Sequence, residues 1–275
     1  MLGRSKKISL RRQADILQVS RSSYYYKPKL QNNNLTKKVV SIYKKYPIYG
    51  YRRIHAVLNK ENINSNPKKI LNIMRDIGIK AIYSKPRTTV RNKKSIDYNI
   101  LANTDITRPN QAWQTDITYL RTKHGFMYLV AIIDSFTRSI LSWRLSNSLS
   151  IDASLFCLTD ALSFYKKPDL LHSDQGSQFT SEIWSDRLKK HKIAISLSGR
   201  GKSNDNAKVE RLWRTMKYEY IYLYGINNAT NLKRGINDFV NWYNRDRPHQ
   251  ALGYKTPDEL MKEYSSNDDV KLSNL

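Results

Sequence analysis

Three acidic residues stand where a free carboxylate is unusual. Asp116 is centred in the strand-like run WQTDITYL, Asp174 follows the apolar run of LLHSDQGSQF, and Glu210 lies early in the helix-patterned NDNAKVERLWRTMKYE. A lone Asp or Glu is ordinarily a surface charge or a cap. Three at strand and helix positions of this kind ask for a joint reason. If the strands are neighbours and the helix packs on their sheet, the carboxylates converge. They then repel by about 4 kcal/mol per pair at ~4 Å with an effective dielectric near 20. A divalent cation relieves that repulsion, and a set of oxygen-only donors suits Mg²⁺ or Mn²⁺. Two such ions about 3.5–4 Å apart would flank a scissile phosphate, one activating the nucleophile and the other stabilising the leaving oxygen. Other chemistries are poorly supplied. Cys157 is the single cysteine and the five histidines are scattered, which excludes a cysteine-ligated zinc finger and a CxxC redox site. A single cysteine forms no intramolecular disulfide and fits a reducing compartment. His172 is read as structural, because metal-bound water needs no histidine base.

Such a triad needs a sheet and a helix to hold it. From Ala112 the pattern is strand-like over Ala112–Arg121, Met127–Asp134 and Ser139–Ser146, with turns at His124-Gly125 and Asp134–Arg138, a three-strand antiparallel meander. The pattern then predicts a helix over Ile151–Tyr165, a strand over Asp169–Ser173, a helix over Ser181–Lys192 and a strand over Ile193–Leu197. A polar loop over Ser198–Asn204 leads to a long helix over Asp205–Leu223 and another over Leu232–Tyr243. Together these make one mixed α/β layer fold.

The first third of the chain is patterned differently. Residues 9–26 read as two short helices in a helix-turn-helix layout, with Ser20 as a cap and Arg21 on the second helix. Three more helices are predicted over about Thr36–Tyr46, about Tyr51–Asn62, and from Asn66-Pro67 to near Gly78. Arg52, Arg53, Lys68 and Lys69 lie off their apolar stripes and are candidate DNA contacts. Tyr24, Tyr25, Tyr26, Tyr49 and Tyr51 could stack on bases, but are read as partly buried core aromatics. Residues 84–110 are basic, polar and interrupted by proline, a linker or an arm along a phosphate backbone.

Charge names the partner. Over 275 residues, 48 Lys+Arg stand against 23 Asp+Glu, a net of +25. Residues 1–110 hold 25 basic and 5 acidic residues, a net of +20, and residues 111–275 hold 23 and 18, a net of +5. A positive face attracts polyanions and releases counterions on neutralising phosphates, so nucleic acid is the expected partner ahead of acidic lipid. Hydrophobic residues make up 40% of the chain, which argues against global disorder. No apolar run approaches the ~20 residues of a membrane helix, and no signal peptide is visible.

Asp174 and Glu210 have 210 − 174 − 1 = 35 residues between them. That spacing, after an earlier Asp on a first strand, resembles the D, D-35-E signature of retroviral integrases and insertion-sequence transposases. The stretches WQTDITYL, HSDQGSQF, DNAKVERLWRTMKYE and YNRDRPHQALGYKTPDEL resemble the second-reading-frame product (OrfB) of bacterial two-frame insertion sequences. VSRSSYYYKPK, YGYRRIHAVLNKE and NIMRDIGIKA resemble the helical DNA-binding region of the same product. The likeness runs from about Ser20 to about Glu263.

The resemblance implies an α/β, ribonuclease H-like mixed five-stranded sheet flanked by helices, preceded by an all-helical, helix-turn-helix-type region. It divides the chain into a helical DNA-binding region (1–83), a basic linker (84–110), a ribonuclease H-like, integrase-core catalytic domain (111–225) and a C-terminal helical extension and tail (226–275). Asp116, Asp174 and Glu210 match the catalytic, metal-binding triad, with Mg²⁺ or Mn²⁺ as two ions. Lys217 matches the basic position that accompanies it, and seven residues after Glu210 it shares a helix face with that acid. Arg214, four after Glu210, is a second DNA-contact candidate, and Arg200 and Lys202 in the preceding loop are candidates for DNA ends. Trp213 reads equally as core or as a base-stacking ring.

The implied activity is a DDE-type DNA transposase. It nicks element ends by metal-assisted hydrolysis, and the freed 3′-OH then attacks another phosphodiester by transesterification. The partners implied are terminal inverted repeats and target DNA, with the chain a homo-oligomer on DNA in a bacterial cytoplasm, at the nucleoid, and on no membrane. The family's first-frame segment supplies a leucine zipper, and no heptad run is present here. The first-reading-frame product, separate or fused by frameshift, is therefore expected as a partner. A non-catalytic regulator or assembly subunit, and a ribonuclease H-like nuclease without strand transfer, stand as rival readings.

Overall fold

Side chains of the central strands point in turn to the two faces of the sheet, both covered, and one of those faces carries Asp116. The computed structural model describes residues 9–18, 20, 25, 33–82, 99–123, 125–198, 206–225 and 228–272. Its sheet has five strands: β1 (Ala112–Thr122), β2 (Gly125–Asp134), β3 (Ile140–Ser146), β4 (Leu170–Ser173) and β5 (Ala194–Leu197). Their spatial order is β3-β2-β1-β4-β5. The first three form the expected antiparallel meander, while β4 and β5 run parallel to β1. His124, in the β1–β2 turn, lies outside the described residues. At the β2–β3 turn the buried Asp134 carboxylate accepts from the backbone N–H groups of Asn110 at 2.7 Å, Phe136 at 3.0 Å and Thr137 at 2.7 Å. It is a structural knot for that turn.

Successive strand side chains point to opposite faces. Trp113, Val130 and Ile132 join the core beneath α5 (Ile151–Phe164) and α6 (Glu182–Lys190). Cys157 of α5 is buried in that core, and burial pushes its thiol up to about 12, so it is no nucleophile. Leu120, Leu129, Ala131 and Ile133 face the opposite way, toward α7 (Ala207–Met216) and α8 (Ala229–Arg245). Val209, Leu212, Trp213 and Met216 of α7 and Leu232, Ile236 and Phe239 of α8 fill that second core. Helix α8 thus covers the sheet beside α7. Asp116, an even-numbered residue of β1 like Leu120, belongs to the α7 face.

The expected continuous helix over Asp205–Leu223 is corrected. The α-helical part stops at Met216 and is succeeded by a π turn over Lys217–Ile221, closed by the Tyr222 N–H on the Lys217 carbonyl at 2.8 Å. That i→i+5 bond widens one turn and offsets the residues beyond it from the α-helical faces. It turns Glu219 toward Arg53 and Arg247.

The N-terminal helices are α1 (Leu10–Ile16), capped by the Ser9 hydroxyl, α2 (Asn33–Lys45), α3 (Tyr51–Lys60) and α4 (Pro67–Asp76), capped by the Asn66 side chain. The second helix read within residues 9–26 lies outside the described residues except for Ser20 and Tyr25. Val39, Tyr49, Ile54, Leu58, Ile70 and Ile73 form the core of α2–α4. Tyr49 is core, as expected, and it and Tyr46 stack on Trp242 of α8 at centroid distances of 6.5 and 6.0 Å. Tyr25 is exposed, Tyr51 packs at the edge of the core, and Tyr24 and Tyr26 lie outside the described residues. Of residues 84–110, those from 99 onward are described; Leu101 docks on β5 by donating its N–H to the Ser196 hydroxyl at 3.1 Å. A last helix, α9 (Pro257–Leu272), closes the chain's described part, and Lys60 of α3 pairs with its Glu259 at 2.7 Å. Among the described residues no helix is long and apolar enough to cross a membrane.

Candidate active site

Asp116 sits mid-strand in β1 because Trp, Thr and Ile around it favour the extended chain. Each carboxylate oxygen accepts one hydrogen bond: Oδ1 from the Ile117 N–H at 2.8 Å, Oδ2 from the Trp213 indole Nε1–H at 2.9 Å. Burial is the main cause that pushes its pKa up to about 6; the negative charges of Asp174 and Glu210 add to the rise, and the Trp213 and Ile117 bonds oppose it. A carboxylate that feels both other acids has them as neighbours.

The topology supplies the reason. In the β1–β4 ladder Gln114 pairs with His172. Two residues further along stand Asp116, inside β1, and Asp174, just past the end of β4, so the two lie on a common level of neighbouring strands. Asp174 opens a tight turn in which its Oδ1 accepts from the Gly176 N–H at 3.0 Å. Gly176 leaves that carboxylate its place: a Cβ there would lie 3.0 Å from Asp174 Oδ1, and the carboxylate would have to shift. Gln175 ties the same turn to the end of β5 by donating to the Ser198 carbonyl at 2.9 Å.

Glu210 comes from α7. The buried Asn206, at the N-cap position, donates its side-chain amide to the Thr115 carbonyl at 3.1 Å, pinning the helix start beside Asp116. Trp213 is one turn on from Glu210, and its buried ring packs in the second core. Lys217 opens the π turn. Burial lowers its pKa, and the negative charge of Asp116 opposes that fall. Glu210, Trp213 and Lys217 therefore share the face of this helix that looks at β1.

His172 is structural, as expected: it is buried with Nδ1 2.8 Å from the Ser196 hydroxyl and Nε2 2.9 Å from that of Ser198. The three acids are brought together, but no group of three metal-ligating side chains is already drawn into ligating geometry among the described residues. In kind the donors fit a hard divalent cation: oxygen only, mutually repelling, and one of them desolvated.

The basic candidates divide. Arg52, Lys68 and Lys69 are exposed and Arg214 is half-buried on α7. Arg21, Arg200 and Lys202 lie outside the described residues. Arg53 differs from Arg52: its guanidinium is turned inward to Glu219 at 3.4 Å and lies over the Tyr49 ring. The half-buried carboxylate of Glu219 also accepts from the buried Arg247 at 2.9 Å, so one acid is shared by two arginines. Sequence reading missed Trp213, Gly176 and Asn206 as supports of the acids. Signals were present in the first two: a tryptophan three residues after Glu210, and a glycine two after Asp174.

Comparison with known proteins gives two matches to a family described as integrase core domain, over residues 106–203 and 191–257, and one to an HTH-like domain over residues 30–87. The chain is 31% identical over 246 residues to the transposase for insertion sequence element IS629 of Shigella sonnei, covering 86% of this chain and 82% of that one. It is 31% identical over 264 residues to a putative transposase, InsK, for element IS150 of Escherichia coli K12, covering 90% and 91%. A chain of the simian T-cell lymphotropic virus intasome, solved in complex with PP2A regulatory subunit B56 gamma, superposes with a TM-score of 0.51 at 17% identity, covering 77% of this chain and 74% of that one; this likeness is one of fold. The HTH-like match falls on α2–α4, downstream of the hairpin read within residues 9–26.

Proposed function

Because this chain belongs to the IS3-type insertion-sequence transposases, DDE polynucleotidyl transferases with an integrase core, we propose that it cleaves DNA at element ends and joins the freed 3′-OH to target DNA by transesterification. The observation that carries the reading is the placement of Asp116 on β1, Asp174 two residues beyond the paired Gln114 and His172 at the end of β4, and Glu210 in the first turn of α7, whose Trp213 bonds to Asp116. On this reading the three acids are the catalytic residues and hold the metal. Bound there as two ions, Mg²⁺ or Mn²⁺ supplies the Lewis acidity that activates the attacking oxygen and stabilises the leaving one. Asp116 lies deepest and fixes the site to the sheet. Trp213 orients it, and the Gly176 turn orients Asp174. Lys217 contacts a phosphate oxygen from the flank of the triad, a point charge at a place where negative charge gathers.

The same reading gives residues 1–83 the task of holding duplex DNA, residues 84–110 that of a basic linker, 111–225 the chemistry, and 226–275 the extension. Arg52, Lys68, Lys69 and Arg214 are its phosphate contacts, with Arg21, Arg200 and Lys202 outside the described residues. The partners are terminal repeats, target DNA, further copies of the chain and the first-reading-frame product, and the place of action is the bacterial nucleoid.

The test uses the duplex ends that flank the coding sequence, with Mg²⁺ or Mn²⁺ and the first-frame product present. Asp116→Asn, Asp174→Asn and Glu210→Gln should each abolish cleavage and joining, with DNA affinity kept within about threefold. Full activity in any one of them sinks the assignment. Wild-type protein that binds ends and never cuts them speaks for the regulator reading instead. Cleavage without joined products speaks for a simple nuclease.

A further inference from the structure

A pocket of about 300 Å³ opens between α3 and α7, where the N-terminal helices meet the catalytic core. Arg52 and Arg53 line it from α3, and Arg211 and Arg214 from α7. Tyr51, Tyr218 and Tyr254 form aromatic walls, and Glu219 is the one carboxylate in the lining. That carboxylate is already neutralised by Arg53 at 3.4 Å and Arg247 at 2.9 Å. Arg52 and Arg211 bring two further guanidinium groups, which leave the pocket positive. Tyr218 is 48% exposed, so a large part of its ring is open to contact.

Guanidinium forks match phosphate oxygens, and an exposed aromatic face stacks on any base. A pocket holding both kinds of group suits a nucleotide better than a bare phosphate or an acidic side chain. Its size admits one nucleotide-sized group and excludes a base-paired duplex. Its position follows from the helix. Glu210, Trp213 and Lys217 occupy the face of α7 toward the acids, while Arg211, Arg214 and Tyr218 follow the neighbouring i, i+3, i+7 row. The pocket and the triad are therefore served by adjacent faces of one helix.

We propose that this pocket takes one unpaired nucleotide of the DNA strand, its phosphate held by Arg52 and Arg211 and its base laid against Tyr218, on the helix flank next to the face that carries Glu210. The proposal rests on the DNA-cleaving reading for its choice of strand. It gives the helical region a direct part in presenting a frayed end to the core, and it uses two residues, Arg211 and Tyr218, for which the chemistry has no other need.

The probes are two labelled duplexes of twelve base pairs, one blunt and one carrying a three-thymidine overhang, with thymidine monophosphate as the free-nucleotide competitor. Binding to the full chain is followed by fluorescence anisotropy in EDTA. The overhang should tighten binding by about tenfold. Arg211→Ala and Tyr218→Ala should each remove most of that gain, while Tyr218→Phe, which keeps the ring, should retain it. Blunt-duplex affinity should change less than threefold in all three. The absence of an overhang gain, or equal losses on both duplexes, overturns the proposal. Loss of the gain with thymidine monophosphate equimolar to the duplex also overturns it, because the pocket then serves a free nucleotide. Since binding is read without metal, failure of the cleavage chemistry leaves this result standing, and failure here leaves the triad test standing.

Discussion

Both oxygens of the Asp116 carboxylate accept a hydrogen bond, and one donor is the indole of Trp213. A bond to a charged group is worth about 1.5–3 kcal/mol, so this one favours the ionised acid that a metal requires. Trp213→Phe keeps the ring in the core and removes the donor. Cleavage should fall about tenfold, the Mg²⁺ concentration needed for half-activity should rise, and the melting temperature should move little. An unchanged Mg²⁺ requirement would refute the orienting role. Gly176→Ala makes the matching test at Asp174: its Cβ would lie 3.0 Å from Oδ1 and tip the carboxylate. Cleavage by that variant should drop by about one to two orders of magnitude while a denaturant titration shows near wild-type stability. At this scale the three acids were legible from their local patterns and spacing. Trp213 was legible only as a residue on the right face. Whether an indole points at a carboxylate depends on the depth at which α7 packs on β1, which no local pattern encodes.

The elements that carry the site keep to their patterns closely until tertiary pairing intervenes. The meander, β4, β5 and the flanking helices form where alternation and apolar stripes put them. Helix α7 departs from its pattern at Lys217. The wide turn there presents Glu219 to Arg53, 166 residues away, and to Arg247, 28 away. Residues so distant in the chain leave no mark in a local window of sequence. The segment after α8 shows a related effect. His249 is buried against the Tyr243 ring, and burial, with Arg247 nearby, pushes its pKa down to about 3. The unfolded chain takes up that proton below about pH 6.5, whereas the folded chain resists it until about pH 3. The stability contributed by neutral His249 is therefore complete above about pH 6.5 and is lost as pH falls toward 3, by up to about 1.4 kcal/mol per pH unit. Urea titrations from about pH 7 to about pH 4 should show a shallower fall for His249→Gln than for wild type. Parallel curves would contradict it.

Taken whole, the molecule separates its charge by task, with +20 in residues 1–110 and +5 in the remainder. The helical region is nonetheless bound to the core. Tyr46 and Tyr49 stack on Trp242, Lys60 pairs with Glu259, and Arg53 meets Glu219. Composition foretold the basic region but not the clasp, because Arg53 looks in sequence like its exposed neighbour Arg52. Glu219→Gln leaves two guanidinium groups facing each other and should lower the unfolding free energy by about 3 kcal/mol, read by denaturant titration. Arg53→Met should cost less, since Arg247 still pairs with the acid. The central claim, that Asp116, Asp174 and Glu210 hold the metal while DNA is cut, is tested most directly by cysteine exchange. Thiolate is a poor ligand for Mg²⁺ and a better one for softer ions. Asp174→Cys, shown to bind the element end normally, should be inactive in Mg²⁺ and regain measurable cleavage in Mn²⁺ or Cd²⁺. Wild-type cleavage by this variant in Mg²⁺ would contradict the assignment.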